Sequence, residues 1–302
     1  MDLLGHTLST PDLTLREALV LFSELGLDGA EVIWQDGYLS GLAEREGAAV
    51  EARRISDRLG LPIRCLTPYM ADINSPISGQ RSSDLDRFRR CVDAAATVGA
   101  PLVRAYAGTY DPRRHASEYQ QRWELLCEAL MSLGGHAVSQ GVSICVENHF
   151  GTMADSAHAA RRLMQDVDHP GVSILYDQAN LSFAHQEDHT EAIPLQADWI
   201  KHVQAKDFVF IDRDAPFEAR AVNVVVAGER HIRSRVIGEG EVPWHAILSG
   251  LADIRYSGPI SIEYETRWHP ADLPPPREGI SRSAKVLREL WAEVEAHHGG
   301  RR

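Results

Sequence analysis

Eight short apolar runs, each followed by a longer stretch of helical periodicity, constrain the fold of this 302-residue chain more than any other feature. The runs read as strands are Leu3–His6, Ala30–Ile33, Ile63–Leu66, Leu102–Ala105, Val142–Glu147, Val172–Asp177, Ile200–Lys206 and Ile260–Glu265. Helical patterns lie near residues 14–25, 44–59, 83–98, 116–139, 154–166, 188–196, 243–252 and 278–296. In the third of these, Ser82 or Ser83 is the expected cap, Leu85, Phe88, Val92 and Ala95 recur at helical spacing, and Gly99 ends the run. Strand and helix in strict alternation imply parallel strands buried on both faces. Eight such units fit a closed α/β barrel, a single (β/α)8 domain over residues 1–302. An open doubly wound sheet is disfavoured, because no Gly-x-Gly-x-x-Gly follows the first strand.

One stretch breaks the rhythm. Between Asp207 and Trp244 the chain is too long for an ordinary connection. Asn223–Val226, a turn at Ala227-Gly228-Glu229 and Arg230–Val236 predict a β-hairpin inserted after the seventh strand. Its arginines, Arg220, Arg230, Arg233 and Arg235, are candidates for a substrate lid or an oligomer contact.

Composition narrows the partners. Lys plus Arg count 31 against 43 for Asp plus Glu, a net charge of −12. A surface of that sign repels phosphate backbones, so nucleic acid is not an expected partner. Cys65, Cys91, Cys127 and Cys145 form no CxxC pair and are expected as buried free thiols. No apolar stretch reaches the roughly 18 residues of a membrane span, and Met1–His6 has no signal-peptide character. The expected compartment is the cytoplasm.

Barrel enzymes do their chemistry at the C-terminal ends of the strands. There the fifth strand ends in Glu147-Asn148-His149, the sixth in Tyr176-Asp177-Gln178-Ala179-Asn180, the seventh in His202-Val203-Gln204-Ala205-Lys206-Asp207, and the eighth in Glu263-Tyr264-Glu265. Four successive strands thus close an apolar run with a carboxylate or carboxamide. Carboxylates converging on one mouth repel each other unless paired or bound to a cation. An oxygen-rich donor set suits Mn²⁺ first, with Mg²⁺ or Co²⁺ as the other choices.

These residues carry a resemblance. Gly26-Leu27-Asp28-Gly29-Ala30-Glu31, Val146-Glu147-Asn148-His149, Leu175-Tyr176-Asp177 with Asn180-Leu181, His202 to Asp207, Ile237-Gly238-Glu239-Gly240-Glu241-Val242 and Gly258-Pro259-Ile260-Ser261-Ile262-Glu263, in that order, resemble the xylose isomerase-like barrel superfamily. Its members include ketose 3-epimerases, hydroxypyruvate isomerase, inosose dehydratase and AP endonucleases. The resemblance implies one divalent metal held by Glu147, Asp177, Gln204 and Glu263. Most relatives have His where Gln204 stands, although hydroxypyruvate isomerase-like members also use Gln. Asn180 replaces a substrate-binding His of the epimerases, and Met153 stands where ketose epimerases carry a second glutamate.

With that resemblance, Glu147 and Glu263 are the expected acid/base pair and Asp177 a pure ligand. Asn180 either touches substrate or caps the helix that follows. Lys206 shares the inward face of Gln204 if the strand continues, where it holds a substrate oxygen or pairs with Asp207 or Glu239. His6, Arg104, His149 and Arg267 complete the candidate substrate-binding set, Arg104 as an anchor for an acidic substrate and Arg267 as a clamp with Trp268; a structural ion pair is the other reading of both arginines, and a place in the core that of His149. The expected activity is isomerisation or epimerisation of a small keto-sugar or hydroxy-carbonyl compound through an enediolate. The alternative is a metal-dependent lyase, either a dehydratase or a C-glycoside-cleaving subunit acting on a 3-keto sugar. A homo-oligomer or a partner subunit stays open, and AP endonuclease chemistry is disfavoured by Gln204 and the net charge.

Overall fold

A computed structural model describes residues 1–111, 115–214, 217 and 230–299. Eight parallel strands close into a barrel: β1 (Leu3–His6), β2 (Gly29–Ile33), β3 (Ile63–Thr67), β4 (Leu102–Ala105), β5 (Ser143–Glu147), β6 (Val172–Tyr176), β7 (Ile200–Ala205) and β10 (Ile260–Ile262), with β10 pairing back onto β1. Each outer helix lies against this cylinder through an apolar stripe. Helix α1 (Leu15–Glu24) shows the local logic. Thr14 and Glu17 form a reciprocal capping box, and Ala18, Leu19, Leu21 and Phe22 are buried. The Phe22 ring lies so close to β1 that a side chain at Gly5 would come within 2.6 Å of it, so this strand position has room only for glycine.

Alternation along the strands divides the core in two. Outward residues join the large apolar layer between barrel and helices. Inward residues make a separate plug of Cys65, Leu102, Cys145 and Leu175. One pleat further along each strand the inward side chain becomes polar: Thr67, Arg104, Glu147 and Asp177 each follow a plug residue by two positions. The change from apolar plug to charged layer marks the C-terminal end of the barrel, where the strands open.

The structure corrects several expected boundaries. Helix α2 spans Ala48–Leu59, because Gly47 at φ 77° cannot continue a helix backwards to residue 44. Helix α3 starts at Ser78, a turn before the expected Ser82 or Ser83 cap, with Ile77 at its N-terminus and no side-chain cap. Helix α4 spans Ala116–Ser139 and α5 Ala157–Val167. An unexpected helix, α6 (Gln178–His185), precedes α7 (His189–Gln196). The strands expected to reach Asp177, Lys206 and Glu265 stop at Tyr176, Ala205 and Ile262.

The hairpin after β7 is present with a different first arm. Strand β8 (Asp207–Phe210) pairs antiparallel with β9 (Ile232–Arg235), Asp207 opposite Arg235 and Phe210 opposite Ile232. The expected arm Asn223–Val226 and turn 227–229 lie outside the described residues. Asp207 anchors the return segment by accepting backbone N–H groups of Gly238 (2.8 Å), Gly240 (3.2 Å) and Val242 (3.1 Å). A side chain at Gly240 would meet the Asp207 carboxylate, which explains the Gly-Glu-Gly sequence there. Helix α8 (Trp244–Asp253) and α9 (Pro276–Gly299) complete the ring. Among the described residues no helix is long and apolar enough to cross a membrane, and all four cysteines are free and buried.

Candidate active site at the barrel mouth

Ion pairs organise the charged layer. Arg104 of β4 reaches Glu147 at the end of β5, its Nε 2.5 Å from Glu147 Oε2 with a second contact through its terminal nitrogen. The guanidinium also donates to the Pro68 carbonyl (3.2 Å) and stacks 3.4 Å from the centre of the Tyr106 ring. Asn180 donates to the other oxygen of Glu147 at 3.0 Å and to the Asn148 carbonyl at 2.9 Å. Asp177, not Asn180, caps α6: its Oδ1 accepts the Asn180 backbone N–H at 3.0 Å. Asn180 therefore sits in the first helical turn with its side chain turned into the mouth.

Lys206 follows the last residue of β7 yet keeps the inward direction. Its ammonium is 2.8 Å from Glu263, 2.9 Å from Asp177 and 3.7 Å from Glu265. The alternative partners do other work, Asp207 in anchoring the return segment and Glu239 in pairing with Arg282.

Beneath this, Glu31 of β2 is fully buried and gathers donors from three strands. Thr67 Oγ1 lies 2.5 Å from its Oε1, Gln204 Nε2 2.9 Å from the same oxygen, and His202 Nε2 2.9 Å from Oε2. His6 Nε2 stands 3.4 Å from Oε1, while its Nδ1 accepts the Leu8 backbone N–H at 2.9 Å.

Electrostatics follow from this arrangement. Around the mouth four carboxylates, Glu147, Asp177, Glu263 and Glu265, face two cations, Arg104 and Lys206. Burial, with Glu263 and Glu147 nearby, pushes the Asp177 carboxyl up to about 7 although Lys206 opposes the shift. Burial also raises Glu265. Burial acts the same way on Glu263, but Lys206 and His6 outweigh it and leave that carboxyl lowered. For Glu31 burial is overcome by His6 and His202, which hold it well below the usual carboxylate range. Burial works against the charge on Lys206, yet its carboxylate neighbours hold its pKa well above the ordinary value.

A divalent cation fits the residues present. It would add the positive charge that lets the buried carboxylates stay ionised together, and the donors are oxygens suited to a hard ion. Two buried oxygens, Gln204 Oε1 and Asn180 Oδ1, have no hydrogen-bond partner among the described residues. Asp177 Oδ2 has only the Lys206 ammonium beside it, without a well-directed hydrogen bond. Glu147, Asp177 and Glu263 are not drawn tightly together, however. The one described set of His, Cys, Asp or Glu with three ligand atoms within 4.8 Å of each other is Glu31, Cys65 and His202. That triplet suits a cation poorly. Glu31 already accepts from Thr67, Gln204 and His202, and burial pushes the Cys65 thiol up, away from the thiolate a metal requires.

The model of one family, the xylose isomerase-like TIM barrel, matches residues 19–290, and the closed eightfold barrel agrees with it. The chain belongs to the xylose isomerase-like TIM barrel family. It is 29% identical over 146 residues to inosose dehydratase of Geobacillus thermodenitrificans, across 48% of this chain and 48% of that protein. It thus spans about half the length of the curated relatives it matches. Among solved structures, the IolI protein with a bound zinc atom superposes with a TM-score of 0.78 at 16% identity, covering 97% of this chain and 99% of that one. A probable 3-DHS dehydratase of Bacillus anthracis gives a TM-score of 0.74 at 18% identity, covering 95% and 99%.

Within this family frame the remaining expected residues divide. His149 is packed beside the Arg104–Tyr106 stack, its Nδ1 2.7 Å from the Phe150 carbonyl oxygen and its ring edge-on to Tyr106; burial lowers its pKa. Arg267 stands exposed at the rim, 4.1 Å over the Tyr38 ring and 5.4 Å from the Trp268 ring. Arg104 forms the ion pair that was its other reading, with Glu147 as the partner. Arg230, expected in a lid or oligomer contact, is in a nearly buried ion pair with Asp272, and Arg220 lies outside the described residues.

Two features escape a reading of strand ends. Glu31 is one, although a carboxylate inside the apolar run Ala30–Ile33 is a visible signal. The other is an aromatic arc: Tyr38 stacks on Tyr69 at 6.1 Å, Tyr69 lies 6.0 Å from Tyr106, and Tyr106 contacts His149 at 4.9 Å. Tyr69 and Tyr106 each follow a barrel strand within two residues, which is the sequence signal for them.

Proposed function

We propose that the chain is a divalent-metal-dependent lyase that removes water from a small polyhydroxy ketone, with an inosose-like ring as the leading candidate. The observation that carries this reading is the buried Lys206 ammonium, 2.8 Å from Glu263 and 2.9 Å from Asp177. Isomerisation needs a carboxylate that takes a proton and returns it to a neighbouring atom. Dehydration needs, in addition, an acid for the departing hydroxyl. Lys206 is such an acid, placed beside such a base. The inosose dehydratase relatives support the same reading over the half of their length that matches.

The residues divide the work as follows. Asp177, Glu263, Gln204 and Glu147 would hold the metal, which supplies Lewis-acid polarisation of the substrate's carbonyl and hydroxyl oxygens when bound. Glu263, whose Oε2 is engaged by Lys206, is the carboxylate that receives the proton from the carbon next to the carbonyl. The electron pair of that C–H bond forms the new carbon–carbon double bond, the C–O bond at the next carbon breaks, and Lys206 gives its proton to the departing hydroxide, which leaves as water. The carboxylates that hold Lys206 charged keep this proton in place until hydroxide, a stronger base than any of them, departs beside it. Glu147, with Arg104 on one oxygen and Asn180 on the other, orients the substrate and is the second carboxylate of the pair. The arc of Tyr38, Tyr69 and Tyr106 gives a ring-shaped substrate flat faces to lie against. Met153 is buried with its sulfur 3.3 Å from Asn74 Nδ2, so no carboxylate occupies the position of the second glutamate of ketose epimerases.

The test is to incubate Mn²⁺-loaded protein with keto-inositols and 3-keto sugars in D2O. Loss of water with growth of conjugated-enone absorbance is expected. Deuterium exchange and interconverted ketones without loss of water would replace the lyase reading with isomerase or epimerase.

A further inference from the structure

We propose that Glu31 is the positioning residue that turns the Gln204 amide so that its oxygen faces the barrel mouth, and that divalent-ion binding depends on this orientation. The inference rests on the metal reading above. A carboxamide has two ends of nearly equal size, one an acceptor and the other a donor. Nothing in the side chain itself selects which end points up the barrel. The selection must come from beneath, and there Glu31 accepts from Gln204 Nε2 at 2.9 Å. The reversed amide would set its oxygen against a carboxylate oxygen, acceptor against acceptor, in a fully buried place.

Glu31 is itself held by other donors. Thr67 Oγ1 at 2.5 Å shares Oε1 with the amide, His202 Nε2 takes Oε2 at 2.9 Å, and His6 Nε2 approaches Oε1 at 3.4 Å. His202 is oriented in turn, its other ring nitrogen 3.3 Å from the Pro259 carbonyl oxygen. Groups from β1, β3 and β7 thus converge on one carboxylate from β2, so Glu31 cannot rotate to welcome a reversed amide. The other end of Gln204 shows the result: Oε1 is buried, with no hydrogen-bond partner among the described residues. A buried acceptor without a donor is costly, and a cation removes the cost.

The same geometry accounts for an amide where an imidazole is usual. An imidazole ligand needs an acceptor behind its N–H to direct its other nitrogen at the ion. Glu31 provides that acceptor for either side chain, so the change to Gln204 leaves the polarity of the position intact.

The test measures Mn²⁺ affinity by titration calorimetry on the wild type, Glu31→Gln, Glu31→Asp, Gln204→Ala and the combination of Glu31→Gln with Gln204→Ala. Loss of an outer partner of a metal ligand typically weakens binding ~10–100-fold, and a loss of that size is expected for Glu31→Gln. A neutral amide at position 31 can offer its oxygen to His202 and its NH2 to a reversed Gln204. Glu31→Asp keeps the charge, withdraws it from Gln204 and is expected to weaken binding as well, which covers the case of a Glu31→Gln chain that fails to fold. In the Gln204→Ala background, Glu31→Gln should have no further effect, because the amide through which it acts is gone. Unchanged affinity in Glu31→Asp, or an equal loss from Glu31→Gln with and without Gln204, overturns the proposal while leaving the metal reading intact. Equal binding by the wild type and Gln204→Ala also overturns it and moves the ion to other residues. A wild-type chain that binds no divalent ion overturns both readings.

Discussion

Arg104 and Glu147 form a buried ion pair between neighbouring strands, Nε to Oε2 at 2.5 Å, with the guanidinium lying flat on Tyr106. Removing one member of such a pair strands an uncompensated charge, which typically costs about 3–5 kcal/mol. Arg104→Leu should therefore destabilise the metal-free protein by about that amount in urea unfolding, and Mn²⁺ should restore part of the loss. Arg104→Lys should cost less, since it keeps the charge and loses the forked contact. If Arg104→Leu were as stable as the wild type and altered only KM, the sequence expectation of a substrate anchor would return.

Lys206 should show two opposite effects when replaced by Met. Asp177 and Glu263 lose their shared cation, so the metal-free variant should melt earlier. The same carboxylates are then released for a metal, so Mn²⁺ affinity should rise. Turnover should fall by ~10²–10⁴-fold, the usual loss of a positioned proton donor. Calorimetry and steady-state rates at saturating Mn²⁺ separate the two; weaker Mn²⁺ binding in Lys206→Met would contradict the picture.

Asp177 gives a pH dependence with a definite sign. Its carboxyl rises from 3.8 to about 7 on folding, through burial first and then the charges of Glu263 and Glu147. Within that window the folded chain keeps a proton that the unfolded chain has lost. The contribution of this group is therefore most favourable at low pH and is lost as pH climbs through its folded pKa. In EDTA, Asp177→Asn should gain stability relative to the wild type as pH rises from 3.8 to about 7. With Mn²⁺ present the ion takes the proton's place, so affinity should drop as pH falls below about 7. A wild-type-minus-variant difference that is flat with pH would remove Asp177 from this role.

Glu147→Gln and Glu263→Gln separate ligation from proton transfer. Each keeps an oxygen of similar shape and loses its basic character. At saturating Mn²⁺, with occupancy measured on each variant, both should lose ~10²–10⁴-fold in rate. Near-normal turnover in both fully loaded variants would pass the proton to His149 or Lys206.

Arg267 is exposed and touches only aromatic faces among the described contacts. Arg267→Ala should leave the melting temperature nearly unchanged, as surface substitutions usually stay within about 0.5 kcal/mol. It should raise KM by roughly two- to fivefold, the size of one exposed cation–π contact of about 0.5–1 kcal/mol, with kcat preserved. A fall in kcat at constant KM would place Arg267 in the chemistry instead of at the rim.

The barrel itself was legible in the sequence because burial on both faces imposes apolar runs and helical amphipathicity leaves a period, both of which are local. Glu147, Asp177, Gln204 and Glu263 stand out for the same reason: each interrupts an apolar run at the end where a barrel opens. What local pattern cannot encode is which partner each side chain takes once distant strands are neighbours. Lys206 had three carboxylates within reach only after β6, β7 and β10 lay side by side. The partner of Arg104 was fixed by the adjacency of β4 and β5, which brings Glu147 within its reach. Helix α6 escaped the periodicity because Gln178 and Asn180 are polar residues buried toward the mouth, where amphipathic spacing no longer separates inside from outside. The first arm of the hairpin escaped it because Asp207–Phe210 continues almost without a break from β7, and only antiparallel pairing with Ile232–Arg235 tells the two strands apart. Glu31 and Gln204 are 173 residues apart in the chain and 2.9 Å apart in the fold. Sequence placed Glu31 in the second strand and Gln204 on the inward face of the seventh, but only closure of the barrel made one the acceptor for the other, since a hydrogen bond is decided by distance in space and not by distance along the chain.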